Sequence, residues 1–118
     1  MTFTTYLIGW VVLAFAIGSI PNGWIVGKIG GLDVTKQVSG NIGMTNVWRL
    51  MGWKAGVFVF ILDMLKGLLP ILALGYCKTN MSVGLVPPAW EAGMGMVVGI
   101  ICVLGHTFTP WLKFKGGK

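Results

Sequence analysis

Three apolar runs constrain this chain more than any other feature it has. They cover residues 5–26, 52–77 and 92–112. A helix needs ~20 apolar residues to cross ~30 Å of hydrocarbon, and each run approaches or exceeds that. Within hydrocarbon every backbone N–H and C=O must find a partner inside the protein, so such runs fold as helices. The expected fold class is therefore all-α, a polytopic integral membrane protein with three transmembrane helices in one membrane domain over residues 1–118. Composition agrees: 55% hydrophobic and 10% charged residues are not those of an ordinary soluble domain. Nineteen glycines suit helices that pack closely through small residues. Ser19, Pro21, Asn22 and Gly23 interrupt the first run, which predicts a kink or local unwinding at its end. Trp10, Trp24, Trp53, Trp90 and Trp111 lie near segment ends, where indole rings favour the interface.

Charge sets the expected orientation. Nine Lys/Arg against Asp33, Asp63 and Glu91 give a net charge of +6. The bases sit beside apolar runs, the pattern that orients membrane proteins, so no nucleic-acid partner is expected. The loop after the first run carries Lys28, Lys36, Arg49 and Lys54, and the chain end carries Lys113, Lys115 and Lys118. The N-terminal tail has no Lys or Arg, and the second loop has only Lys78. The positive-inside rule then places loops 27–51 and 113–118 in the cytoplasm and the N-terminus outside it. The tail also lacks the basic stretch of a cleaved signal, so the first run reads as a retained anchor. Cys77 and Cys102 have no metal-ligand spacing and read as small apolar side chains in helices; no metal site is expected.

Two polar, glycine-rich regions thus share one side. In the first, Ser39-Gly-Asn-Ile-Gly-Met-Thr-Asn-Val-Trp-Arg49 can curl back and present N–H donors. Arg49 is either an interfacial anchor or a planar cationic fork for phosphate, and the Ser/Gly/Asn run favours the fork. The glycine spacing is not that of a nucleotide-hydrolysing loop. In the second region His106, the sole histidine, is followed by Lys115-Gly-Gly-Lys118, which offers cations and bare backbone N–H groups to an anion. His106 either caps and packs a helix, orients a hydroxyl nucleophile or donates to a phosphoryl oxygen. Asp63 and Lys66, three residues apart in the second run, form either an ion pair that locks helix packing or the lining of a polar cavity near a helix distorted by Pro70.

Together these stretches resemble the acyl-phosphate-dependent glycerol-3-phosphate acyltransferases of bacterial membranes. The resemblance rests on Ser19-Ile-Pro-Asn-Gly23, Ser39 to Arg49, Asp63-Met-Leu-Lys-Gly67, and Gly105-His-Thr-Phe with Phe114-Lys-Gly-Gly-Lys118. Met44 and Thr109-Pro110 depart from the family pattern. The resemblance implies transfer of a fatty acyl group from acyl phosphate to the 1-hydroxyl of sn-glycerol 3-phosphate, giving lysophosphatidate in phospholipid synthesis at the bacterial inner membrane. It implies no cofactor, and a functional coupling to the enzyme that makes acyl phosphate. Ser39, Arg49, His106 and Lys118 would be catalytic. Asn41, Gly43, Thr45, Asn46, Lys115, Gly116 and Gly117 would bind phosphate and acceptor, with Asp63 and Lys66 as cavity or ion pair. The complete family fold has seven spans, so the 118 residues are expected to be an N-terminal portion that is inactive alone. The competing classes are a non-enzymatic membrane protein that binds anions or lipid headgroups, and an inactive truncated relative.

Overall fold

The computed structural model describes residues 1–81 and 83–117. Among these the regular structure is entirely helical: α1 (Phe3–Gly18), α2 (Asn22–Ile29), α3 (Met44–Met51), α4 (Trp53–Asn80) and α5 (Glu91–Thr107). Short 3-10 turns occur at Val34–Lys36, Pro88–Trp90 and Pro110–Leu112. Three segments are long and apolar enough to cross a membrane: Phe3–Ile29, Trp53–Asn80 and Pro88–Leu112. The molecule measures 48 × 26 × 20 Å.

The interruption in the first segment is a complete break that falls within the run, since α1 stops at Gly18 and α2 restarts at Asn22. Pro21 brings no N–H, and its ring disfavours helix in the residue before it. The side chain of Ser19 and the carbonyls of Ser19 and Ile20, at the break, find partners. Ser19 Oγ donates to the Ala16 carbonyl at 2.8 Å and accepts from Trp111 Nε1 at 3.2 Å. Thr109 Oγ1 donates to the Ser19 carbonyl, and Lys66 Nζ donates to the Ile20 carbonyl at 2.9 Å. The break is therefore a tertiary feature: besides the Asn22 N–H, which donates to the Ile20 carbonyl at 3.0 Å, its donors come from the other two segments.

α1 and α5 cross with their backbones almost touching. A Cβ on Gly18 would lie 2.3 Å from the Cys102 carbonyl oxygen, and one on Gly105 would lie 2.6 Å from that of Phe15. On one side of this crossing Trp10, Ala14, Leu74, Met94, Val98 and Cys102 form an apolar core between α1, α4 and α5. Trp10 is thus a core residue at mid-helix, 9% exposed, in one cluster with Met94 and Val98, rather than an interfacial anchor. A second core of Val34, Ile42, Val47 and Val59 joins the 3-10 turn, the following loop, α3 and α4.

α4 continues as α-helix through Pro70. Proline cannot donate to the carbonyl four residues back, which is that of Lys66. The Cys102 thiol stands 4.0 Å from that oxygen, within reach of a weak S–H bond. A buried cysteine on α5 thus offsets a proline on α4.

Candidate active site

The break in the first segment, the middle of α4 and the end of α5 meet in one polar cluster. Asn22, the first residue of α2, donates from Nδ2 to Asp63 Oδ1 at 3.1 Å. The same oxygen lies 3.2 Å from Lys66 Nζ. Lys66 Nζ also lies 2.9 Å from the Ile20 carbonyl oxygen and 2.9 Å from His106 Nδ1. An ammonium has three N–H donors, and here three polar atoms surround it. Lys66 is 8% exposed, a depth at which a charge persists only when paired and fully bonded. Asp63 and Lys66 form an ion pair and also line a cavity.

That cavity, about 310 Å³, opens between α4 and α5 and is lined by Asp63, Lys66, Gly67, Ile71, Cys102 and His106 among others. A second hollow of about 590 Å³ shares Ile71, Gly99 and Val103 with it and continues past Gly95, Met96 and Ile100. One groove results, polar where His106 and Lys66 stand and apolar beyond Ile71.

His106 lies in the last turn of α5, and the chain then folds back over it. Lys113 (φ 55°) and Phe114 (φ 64°) are consecutive left-handed residues that reverse its direction. Non-glycine residues hold that conformation only where the surroundings impose it. The returning Gly116 N–H donates to the Thr107 carbonyl at 2.9 Å, and Gly117 N–H to the His106 carbonyl at 3.0 Å. These amides are not bare donors, contrary to the sequence expectation, because the reversal brings them onto the open end of α5. What the glycines supply is proximity. A Cβ at Gly116 would fall 1.9 Å from the His106 carbonyl oxygen, and one at Gly117 would fall 1.9 Å from His106 Nε2. Lys115 is exposed, and Lys118 lies outside the described residues.

The first glycine-rich region divides into scaffold and surface. Asn46 is 1% exposed, and its Nδ2 lies 3.2 Å from the Val34 carbonyl oxygen, 3.3 Å from that of Gln37 and 3.0 Å from that of Asn41. Asn41 Oδ1 accepts from Gly43 N at 2.8 Å, just before α3, and Ser39 Oγ accepts from Asn41 N at 3.3 Å. Asn41 and Asn46 therefore hold the loop's shape with the groups expected to meet a ligand. Ser39, Thr45 and Arg49 are exposed. Arg49 touches Asn46 Oδ1 at 3.5 Å and makes no ion pair among the described residues. At the loop's start Asp33 accepts from the Thr35 hydroxyl and amide and lies 3.7 Å from Lys28. The Thr35 hydroxyl, against the opposing effect of burial and with help from the Thr35 amide and the nearby lysines, holds the Asp33 carboxyl below its ordinary 3.8.

The two regions meet at one end of the molecule. The backbone of Gly23 presses on the Ile42 carbonyl, and Leu112 packs against the core of Val34, Ile42, Val47 and Val59. No hydrogen bond among the described residues joins Ser39, Thr45 or Arg49 to His106. Sequence reasoning gave no site role to Asn22, Ser19, Thr109 or Trp111. The available signal was a polar interruption in one apolar run and two charges in another, each needing the other as a partner.

A family model described as Glycerol-3-phosphate acyltransferase matches residues 8–118. Among curated relatives, a glycerol-3-phosphate acyltransferase of Chlorobium phaeobacteroides is 38% identical over 95% of this chain and 48% of its own length. One from Trichlorobacter lovleyi is 41% identical over 92% of this chain and 50% of its own length. The chain thus spans about half the length of the curated relatives it matches. Crystal structures of PlsY (YgiH), an integral membrane glycerol 3-phosphate acyltransferase, are similar in fold at 35% identity. The glycerol 3-phosphate form aligns with TM-score 0.77 over 95% of this chain and 51% of the other. The lysophosphatidic acid form aligns with TM-score 0.74 over 95% and 50%.

Proposed function

The chain belongs to the glycerol-3-phosphate acyltransferase family and is a multi-pass membrane protein, and from that premise we propose that it carries the phosphate-handling end and the acyl groove of an enzyme that acylates sn-glycerol 3-phosphate from acyl phosphate. One observation carries this reading: a single groove between α4 and α5 is polar at His106 and Lys66 and apolar beyond Ile71. A substrate with a phosphoryl head and a fatty tail has the same division. The exposed cations Arg49 and Lys115, with Lys118, would attract the two anionic substrates, Arg49 with a fork that fits phosphate oxygens.

Acyl phosphate is a mixed anhydride, already activated. The 1-hydroxyl oxygen of glycerol 3-phosphate attacks the acyl carbon while the acyl carbon–oxygen bond to phosphate breaks. The departing phosphate takes the hydroxyl proton, giving lysophosphatidate and inorganic phosphate. No covalent enzyme intermediate is needed, so positioning and charge stabilisation can supply most of the acceleration. The loops 27–51 and 113–118 would face the cytoplasm at the inner membrane, where the enzyme that makes acyl phosphate delivers its product.

Reconstituted full-length protein, supplied with acyl phosphate and radiolabelled glycerol 3-phosphate, should release lysophosphatidate and phosphate in equal amounts. A preference for acyl-CoA would show the proposed donor to be wrong. Binding of anionic headgroups without turnover would favour a non-enzymatic membrane protein.

A further inference from the structure

We propose that Lys66 is a positioning residue that holds His106 as a neutral imidazole with its proton on Nε2, so that His106 meets substrate as a hydrogen-bond donor and not as a base. Lys66 Nζ has three polar neighbours: Asp63 Oδ1 at 3.2 Å, the Ile20 carbonyl oxygen at 2.9 Å and His106 Nδ1 at 2.9 Å. The first two can only accept, and they take two of the three ammonium protons. The third points at Nδ1, which must then present its lone pair. A neutral imidazole whose Nδ1 accepts carries its proton on Nε2.

The opposite arrangement would make Lys66 a neutral amine that accepts from Nδ1–H. It would leave the Asp63 carboxylate without its counterion at a depth where an unpaired charge is costly. An imidazolium would put a second cation 2.9 Å from the ammonium, with Nδ1–H aimed at a group that has no lone pair. Asn22 Nδ2, at 3.1 Å from Asp63 Oδ1, fixes the carboxylate from the other side. The relay thus runs from the helix break through α4 to α5.

Nε2 is the ring atom pressed against Gly117, whose missing Cβ makes way for the ring itself, and the His106 side chain lines the cavity of about 310 Å³. Its N–H would donate to an oxygen of the acyl phosphate, and the bond would strengthen as negative charge grows there. His106 exchanges no proton in this scheme, and the hydroxyl proton still leaves on phosphate. This last role rests on the acyl-transfer reading; the tautomer does not.

The test is nitrogen-15 NMR of histidine-labelled full-length protein in lipid nanodiscs at neutral pH, with His106→Gln identifying the resonances. We expect one protonated and one unprotonated ring nitrogen, with couplings that place the proton on Nε2. In Lys66→Met the two signals should move toward each other as the tautomers exchange. Its kcat should fall at least about tenfold while KM for glycerol 3-phosphate changes less than about threefold. An imidazolium or an Nδ1–H tautomer in the unaltered protein overturns the proposal, and so does a Lys66→Met spectrum identical to it. Should Lys66→Met fail to accumulate, the spectrum of the unaltered protein decides alone. The expected spectrum in a protein that transfers no acyl group would leave the Lys66 lock standing and remove the acyl-transfer reading.

Discussion

Arg49 and Lys54 are both exposed cations near the start of α4, yet their surroundings differ. Arg49 sits on α3 beside the Asn46 amide that organises the glycine-rich loop, whereas Lys54 lies over the Trp53 ring, 5.8 Å from its centroid. Arg49→Ala should lower turnover at least tenfold, about 1.4 kcal/mol of transition-state stabilisation. Lys54→Ala should change it little, and equal losses in one acyl-transfer assay would reduce Arg49 to general surface charge. Gly117→Ala addresses the other region: its Cβ would meet His106 Nε2 at 1.9 Å and push the ring or the returning strand away. Activity should fall while the thermal midpoint in detergent stays within a few degrees; a fully active Gly117→Ala would mean that this close approach is not needed. At this scale His106 was legible because it is the sole histidine beside a Lys-Gly-Gly-Lys run. The tasks of Asn41 and Asn46 were not. A sequence shows that an amide is present near glycines, but not whether the chain's own carbonyls have already claimed it.

At the scale of elements, the three spans follow from length and hydropathy, because lipid leaves the backbone no choice but helix. The break in the first span was half legible: Pro21 and its polar neighbours announce it, while Thr109, Trp111 and Lys66, which satisfy it, lie far away in sequence. Trp10 shows the opposite limit, since a tryptophan eight residues into a helix serves equally as an anchor or as core, and only its neighbours distinguish the two. The crossing of α1 and α5 depends on the absence of side chains at Gly18 and Gly105. Gly105→Val should force the helices apart and cost about 1–3 kcal/mol, as overfilling of a packed interior does. Thermal unfolding in detergent should register a lower midpoint, and an unchanged midpoint would mean that the crossing adjusts without strain.

Across the whole molecule, the polar cluster of Asn22, Asp63, Lys66 and His106 and the apolar core of Trp10, Leu74 and Met94 occupy different stretches of the same three segments. Single cysteines introduced near Lys36 and near Thr79, labelled from either side of sealed vesicles, should report opposite faces. Labelling of both from one face would overturn the shared cytoplasmic site. α4 exposes Phe58, Phe60, Leu69 and Leu72, and the chain covers about half of its relatives' length. Residues 1–118 alone should therefore turn over at least about tenfold more slowly than a full-length relative in bilayers; equal turnover would mean that these segments complete the site unaided. The Ile20 carbonyl at the break also bears on how the protein is made. Lys66 must leave the translocation machinery inside a segment whose one other mid-span charge is Asp63, at a cost of about 2.5–3.5 kcal/mol for an unpaired lysine at mid-membrane. The first segment emerges earlier and already holds the Ile20 carbonyl, which takes the Asn22 N–H at 3.0 Å and keeps a second lone pair as a berth for the incoming charge. Replacing Ser19, Ile20 and Pro21 by leucines would close that berth, and the second segment should then insert less efficiently even though its own sequence is untouched.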